Sequence, residues 1–208
     1  MRKTGAYNTI EGVVLAGGLN SRFKGENKAK LVINTRPIIA DTLLLLGRIF
    51  KRVLIVSNEP EELLDYREYP IVKDIFQKVG PLGGIHSALS NSDAEAVFVV
   101  ACDMPLLDEK LMRGMLKHYM ASDCEVLIPQ RDGYNEPLHA IYSLKVLERL
   151  EKFLRTSKTF AIKDFLSLTS YEWFPVTQKS VFTNINTPDD LEQIRRDIKR
   201  PDELNYGR

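Results

Sequence analysis

The sequence predicts an α/β fold built on a twisted, mostly parallel central sheet. Short β-branched apolar runs alternate along the chain with longer segments whose apolar residues recur at helical spacing, which is the pattern of repeated βαβ units. One run, Glu95–Ala101, is almost continuously apolar, as a strand covered on both faces must be. Polar residues directly follow several of these runs: the segment Leu15–Lys28, then Asn58, Asp74 and Asp103. Open α/β sheets bind ligands beyond the carboxyl ends of their strands, so all four positions can face one crevice.

The elements follow in order. Gly12–Ala16 reads as the first strand, and Ile38, Ile39, Leu43, Leu46, Ile49 and Phe50 form the apolar face of a helix returning to a second strand, Arg52–Ser57. Pro60–Tyr66 reads as a short helix and Ile71-Val72 as a short strand. Gly80-Pro81-Leu82-Gly83-Gly84 opens a helix to about Ser90, with proline at the first helical position. After the strand Glu95–Ala101, Asp108 serves as the cap of a helix to about Met120. Cys124–Pro129 and Leu138–Tyr142 are strands, Leu144–Leu154 and Phe160–Leu168 helices, and Tyr171–Val176 a last strand. Thr187-Pro188-Asp189-Asp190 combines a cap residue, a first-turn proline and two acids, so Thr187–Ile198 is a helix.

Composition excludes several classes. The chain of 208 residues suffices for one substantial core, and residues 1–208 are expected to form a single domain with flexible tails at about 1–9 and 200–208. Net charge is +1, from 29 basic and 28 acidic residues, too little field to hold nucleic acid by counterion release. No apolar run approaches the roughly 20 residues of a membrane span, and no secretory signal core is visible. Cys102 and Cys124 lack metal-ligand spacing and sit in apolar runs, which favours a reducing, cytoplasmic setting.

The segment Val13-Val14-Leu15-Ala16-Gly17-Gly18-Leu19-Asn20-Ser21-Arg22, with Gly25 and Lys28-Ala29-Lys30-Leu31 after it, carries the chemistry. A buried strand breaks at two adjacent glycines, which let the backbone approach a ligand and turn successive N–H groups toward anionic oxygens. Arg22 and Lys28 then add positive charge for a polyphosphate. The pattern is neither a dinucleotide fingerprint nor a Walker loop, since Gly17 and Gly18 are adjacent and Ala29 stands where a hydroxyl would follow the lysine. An ordinary strand-to-helix turn accounts for the glycines but leaves the arginine and lysine unexplained. In Cys102-Asp103-Met104-Pro105, a carboxylate ends a buried strand and a proline follows two residues later, a suitable single ligand for Mg²⁺ beside substrate phosphates.

Together these residues resemble the signature loop and the Asp-x-Pro motif of the sugar-nucleotide-type nucleotidyltransferases, and most closely the molybdenum cofactor guanylyltransferases. The resemblance spans about Gly12 to Arg195. It implies a Rossmann-like three-layer fold with a mostly parallel, mixed sheet, and Mg²⁺-dependent transfer of GMP from GTP to the terminal phosphate of molybdopterin, with pyrophosphate leaving. It further implies catalytic roles for Arg22, Lys28 and Asp103, with Asp103 as the metal ligand. Nucleotide contacts are implied for Leu15, Ala16, Gly17, Gly18, Lys28, Asn58, Asp74, Gly80, Leu82 and Asp103, with Asp74 or Asn58 accepting hydrogen bonds from guanine. Glu136-Pro137-Leu138-His139 and Asn184-Ile185-Asn186-Thr187-Pro188 resemble acceptor-side segments, which makes Glu136, His139, Asn184 and Asn186 acceptor-side candidates. His86 and His118 read as plain helix residues. Molybdenum cofactor insertion proteins are candidate partners.

The sequence departs from the family pattern at Phe23, Lys24 and Asn27. Two other functions share the same residues. One is a cytidylyl or other nucleotidyl transferase acting on molybdopterin or a sugar phosphate, distinguished by nucleotide choice. The other is a nucleotide-binding module without turnover, for which Lys28 and Asp103 together would be superfluous.

Overall fold

Strict alternation of apolar side chains builds the centre of the molecule. In the strand Ile10–Leu15 (β1), Ile10 and Val14 point to one face while Val13 and Leu15 point to the other, and all are buried. Ala96–Ala101 (β6) divides the same way, with Phe98 and Val100 opposite Val97 and Val99. A strand apolar on both faces demands helices on both faces, and the chain supplies them. The structure is a computed structural model that describes residues 7–17, 22–23, 26–33, 35–177 and 182–199.

The remaining strands are Arg22–Phe23 (β2), Glu26–Asn27 (β3), Val53–Val56 (β4), Ile71–Val72 (β5), Val126–Arg131 (β7), Tyr134–Asn135 (β8), His139–Ser143 (β9) and Tyr171–Pro175 (β10). Among the described residues the main sheet has the order β10-β7-β9-β6-β1-β4-β5, with β8 paired to β7. Pairings β1–β4, β1–β6, β4–β5 and β7–β10 are parallel, whereas β9 runs antiparallel to both β6 and β7. The sheet is therefore mostly parallel and mixed, and the amino end of β9 lies on the same edge as the carboxyl ends of β1, β4, β5 and β6. Helices Ile38–Ile49 (α1) and Glu109–Tyr119 (α3) cover one face. Pro81–Ser90 (α2), Leu147–Thr156 (α4) and Ile162–Leu166 (α5) cover the other, giving three layers. The helix Pro188–Lys199 (α6) joins a third, smaller cluster in which Leu191, Ile194 and Ile185 pack against Leu31 and Ile38. No helix among the described residues is long and apolar enough to cross a membrane.

Several boundaries differ from the sequence expectation for physical reasons. β1 begins at Ile10, because Glu11 is buried as a partner of Arg52 at 2.9 Å and Ser92 at 2.8 Å and interrupts the apolar pattern without interrupting the strand. β7 continues past Pro129 to Arg131, where Asp132 and Gly133 both adopt positive φ, the two-residue hairpin turn that produces β8. The Leu144–Leu154 helix starts as a 3₁₀ turn over Leu144–Val146, capped by the Ser143 hydroxyl, before α4 begins. Asp108 caps α3 as expected, accepting from the Leu111 N–H at 2.7 Å. Residues 7–9 form a turn with Tyr7 packed on the core, so the described part of the amino-terminal tail is docked; residues 1–6 and 200–208 lie outside the described residues.

His139, an acceptor-side candidate by sequence, is a core residue. Its ring is fully buried at the start of β9, edge-on to Phe98 and Phe182 with centroids at 5.3 and 5.5 Å, and neither nitrogen has a hydrogen-bond partner. Burial alone pushes its pKa down to about 3. The ring is thus neutral in the folded protein across the range where the unfolded chain takes up a proton. Stability should be unaffected above about pH 6.5 and fall on acidification by about 1.4 kcal/mol per unit below it. His139→Leu removes that proton uptake. Between pH 7.5 and 4.5 the parent should lose roughly 2–3 kcal/mol more than the variant in urea unfolding, and equal losses would show that the ring is protonated in the folded state.

Candidate active site

The carboxyl edge of the sheet opens into a cleft of about 360 Å³, lined among others by Leu15, Gly17, Val56, Asp74, Ala101, Asp103 and Asn186. β1 exits against β4 with no room to spare: a Cβ on Gly17 would lie 3.1 Å from the Asn58 nitrogen. The Ala16 N–H donates to the Val56 carbonyl at 2.8 Å, and that of Cys102 to Leu15 at 3.0 Å, so the exits are locked side by side. Gly80 takes φ +67°, which swings the chain into α2 and brings Gly80, Pro81 and Gly84 to the cleft wall. Residues 80, 81 and 84 share one side of the helix, whereas Leu82 turns the opposite way into the core. The Leu82 side chain, expected at the nucleotide, is therefore a core group, and the cleft wall here is made by Gly80, Pro81 and Gly84.

At one end of the cleft stands a buried cation. Lys28 opens a 3₁₀ turn, Lys28–Lys30, and its side chain is only 4% exposed. The ammonium donates to Asn186 Oδ1 at 2.8 Å and lies 3.6 Å from Asp103 Oδ2. At that separation and an effective dielectric near 20, the gross attraction is about 4–5 kcal/mol, which offsets part of the cost of removing the charges from water. Burial raises the Asp103 carboxyl above the ordinary range, opposed by Lys28. Glu136 is half-buried, accepts from the Leu138 N–H at 3.2 Å, and is likewise raised by burial, with Asp103 adding to the effect. The Cys102 thiol, fully buried beside Asp103, is pushed up to about 12 and stays protonated. It and Cys124 are free thiols.

At the other end a side-chain clamp holds Asp74. Asn58 Nδ2 donates to Asp74 Oδ2 at 2.8 Å, while Asn58 Oδ1 accepts from the Asp74 N–H at 3.1 Å and from Gln77 Nε2 at 3.3 Å. Asn58 is occupied in orienting Asp74, and it is Asp74 that lines the cleft. Desolvation raises the Asp74 carboxyl and the Asn58 bond lowers it. Gln77, which also donates to the Asp74 carbonyl at 2.8 Å, was not legible as a site residue: an exposed glutamine in a loop carries no sequence signal.

The other expected residues are spread more widely. Ala16 is fully buried and contributes backbone to the strand exit, not a cleft surface. Asn186 points at Lys28 rather than capping α6; the cap is Thr187, whose hydroxyl accepts from the Asp190 N–H at 3.2 Å. Asn184 Oδ1 is buried with no hydrogen-bond partner. Gly18 lies outside the described residues, as does the side chain of Arg22, whose backbone pairs β2 with β3. Among the described residues no group of three or more His, Cys, Asp or Glu is arranged to hold a metal.

The chain has relatives in both sequence and fold. A protein of Thermococcus sibiricus, named probable molybdenum cofactor guanylyltransferase, is 36% identical over 199 residues, covering 88% of this chain and 96% of its own. One of Clostridium perfringens with the same name is 35% identical over 193 residues, covering 87% and 93%. The crystal structure of molybdopterin-guanine dinucleotide biosynthesis protein A from Archaeoglobus fulgidus superposes with a TM-score of 0.79 at 28% identity, over 91% of this chain and 99% of that one. The MobA-like NTP transferase domain matches residues 12–169, strands β1 to β9 with the buried lysine and Asp103 among them. The chain is a nucleotidyltransferase and belongs to the MobA-like NTP transferase domain family.

Proposed function

We propose that the protein transfers GMP from GTP to the terminal phosphate of molybdopterin, forming the guanine dinucleotide and releasing pyrophosphate. The observation that carries this reading is the buried Lys28 ammonium beside Asp103 at a cleft edged by four strand exits. The guanylyltransferase names of relatives covering most of the chain support the choice of nucleotide and acceptor.

An oxygen of the acceptor phosphate attacks the α-phosphorus of GTP. A new P–O bond forms, the bond to the α,β-bridging oxygen breaks, and its electron pair leaves on pyrophosphate. The acceptor is already an anion and needs no general base, so catalysis reduces to alignment and charge neutralisation. Lys28 is the group proposed to meet charge developing on the leaving pyrophosphate, and Arg22 a second cation for the phosphates. Asp103 suits Mg²⁺ because its carboxylate is partly buried, faces the cleft and would share the ion with phosphate oxygens. Mg²⁺ held there supplies charge neutralisation and fixes the phosphate geometry. Asp74, steadied by Asn58, is the proposed acceptor for guanine N–H groups, and Glu136 and Asn184 the proposed acceptor-side groups.

Asp103→Asn keeps the shape but not the charge. Its turnover with saturating Mg²⁺ should drop at least about a hundredfold with the far-ultraviolet spectrum unchanged; activity within about threefold of the parent would remove Asp103 from the metal role.

Lys28→Ala should lower kcat/KM by roughly two orders of magnitude, chiefly through kcat. A weak change confined to KM would reduce the lysine to a steering charge.

GTP should outcompete CTP by about ten- to a hundredfold, since the wrong base leaves a buried acceptor unpaired. Asp74→Ala should slow GTP transfer and narrow that ratio. Equal or better use of CTP by the parent protein would overturn the guanylyl assignment.

A further inference from the structure

Lys28 reaches Asn186 across 158 residues of chain, so something must hold the Asn186 amide in place. Two anchors do so. On one side, Ile185 is fully buried in the small cluster with Leu31, Ile38, Leu191 and Ile194, and its N–H donates to the Asp103 carbonyl at 2.9 Å. On the other, a single oxygen, Asp190 Oδ2, accepts from the Asn186 N–H at 2.9 Å and the Thr187 N–H at 2.7 Å. These bonds hold the Asp190 carboxyl below the usual carboxylate range, so they persist well below neutral pH. An acid three residues after a Thr N-cap ordinarily reaches back to the cap N–H and does no more. Here the same oxygen also grips the residue before the cap, which is the lysine's partner.

We propose that Asp190 is a positioning residue for phosphate transfer: by clamping the Asn186 and Thr187 N–H groups it sets the Asn186 amide that directs the Lys28 ammonium. This rests on the reading that Lys28 acts on the phosphates. A side chain held within a few tenths of an ångström of its productive place loses efficiency steeply when its support is removed.

The test is a double-mutant cycle in the full-length protein. Asp190→Ala should lower kcat about tenfold while KM for GTP changes less than about twofold, and should add nothing further on an Asn186→Ala background. Asp190→Asn retains an oxygen that can accept both N–H groups, and should restore most of the lost kcat. Thr187→Ala removes only the other half of the cap, so it should lower Tm comparably to Asp190→Ala while leaving kcat within about threefold. Additive losses in the cycle, an Asp190→Asn variant as slow as Asp190→Ala, or a Thr187→Ala variant equally slow would each overturn the proposal, the second by assigning Asp190 a direct charge role. The cycle is run with the nucleotide the parent uses best and repeated as pyrophosphate binding by calorimetry. Failure of the guanylyl reading would appear in the parent's nucleotide preference, whereas failure of the clamp appears in the cycle.

Discussion

A lysine ammonium removed from water is costly unless acceptors surround it, and the burial of Lys28 sets the geometry of everything around the cleft. Asp103 and Asn186 are the acceptors, and neither is near Lys28 in sequence. Meeting the requirement forces the loop after β1, the exit of β6 and the segment before α6 to converge. Leu31, Ile38, Ile185, Leu191 and Ile194 fasten that convergence with apolar contacts, so a small satellite cluster, separate from the two main faces, supports the charged end of the site. The β1–β6 pairing, with Leu15 opposite Ala101, brings Gly17 and Asp103 to the same cleft.

The opposite end of the cleft obeys another rule. Asp74 follows β5, the short edge strand, where nothing but its neighbours could hold it in one orientation. Asn58 supplies both a donor and an acceptor, and Gln77 ties the same amide to the Asp74 carbonyl. A carboxylate fixed in this way has its lone pairs already aimed. Asp103 and Glu136 at one end and Asp74 at the other all have carboxyl groups raised by burial. Such a site favours cations, and it accepts a polyphosphate only together with the positive charge that Lys28 and a bound divalent ion would provide.

The α/β class and most element limits are legible because burial on both faces imposes its own pattern: Ala96–Ala101 and Val53–Val56 could be little else, whereas the strand order is set by pairings between distant segments. Asp108 and Pro81 marked their helices by capping chemistry that depends only on neighbours. Less legible are a polar residue that serves the fold and one that an apolar neighbourhood claims. Glu11 concealed the start of β1 because its partner Arg52 is 41 residues away. His139 is an acceptor-side candidate only through the resemblance of the segment Glu136-Pro137-Leu138-His139, and only packing against Phe98 and Phe182 reveals a core ring.

By itself the sequence determined the α/β class, the glycine break after β1 and the placing of Lys28, Asp74 and Asp103 beside strand ends, since these depend on local propensity and on residue types at short spacing. The tertiary structure alone decided which of them meet. It joined Lys28 to Asn186, turned Leu82 into the core and Gly84 to the cleft wall, and set Asn58 to hold Asp74. It also tied the first turn of α6 to the site through Asp190. Those outcomes rest on contacts between segments far apart in the chain, whose energies depend on the packing that unites them and are not written in any local run of residues.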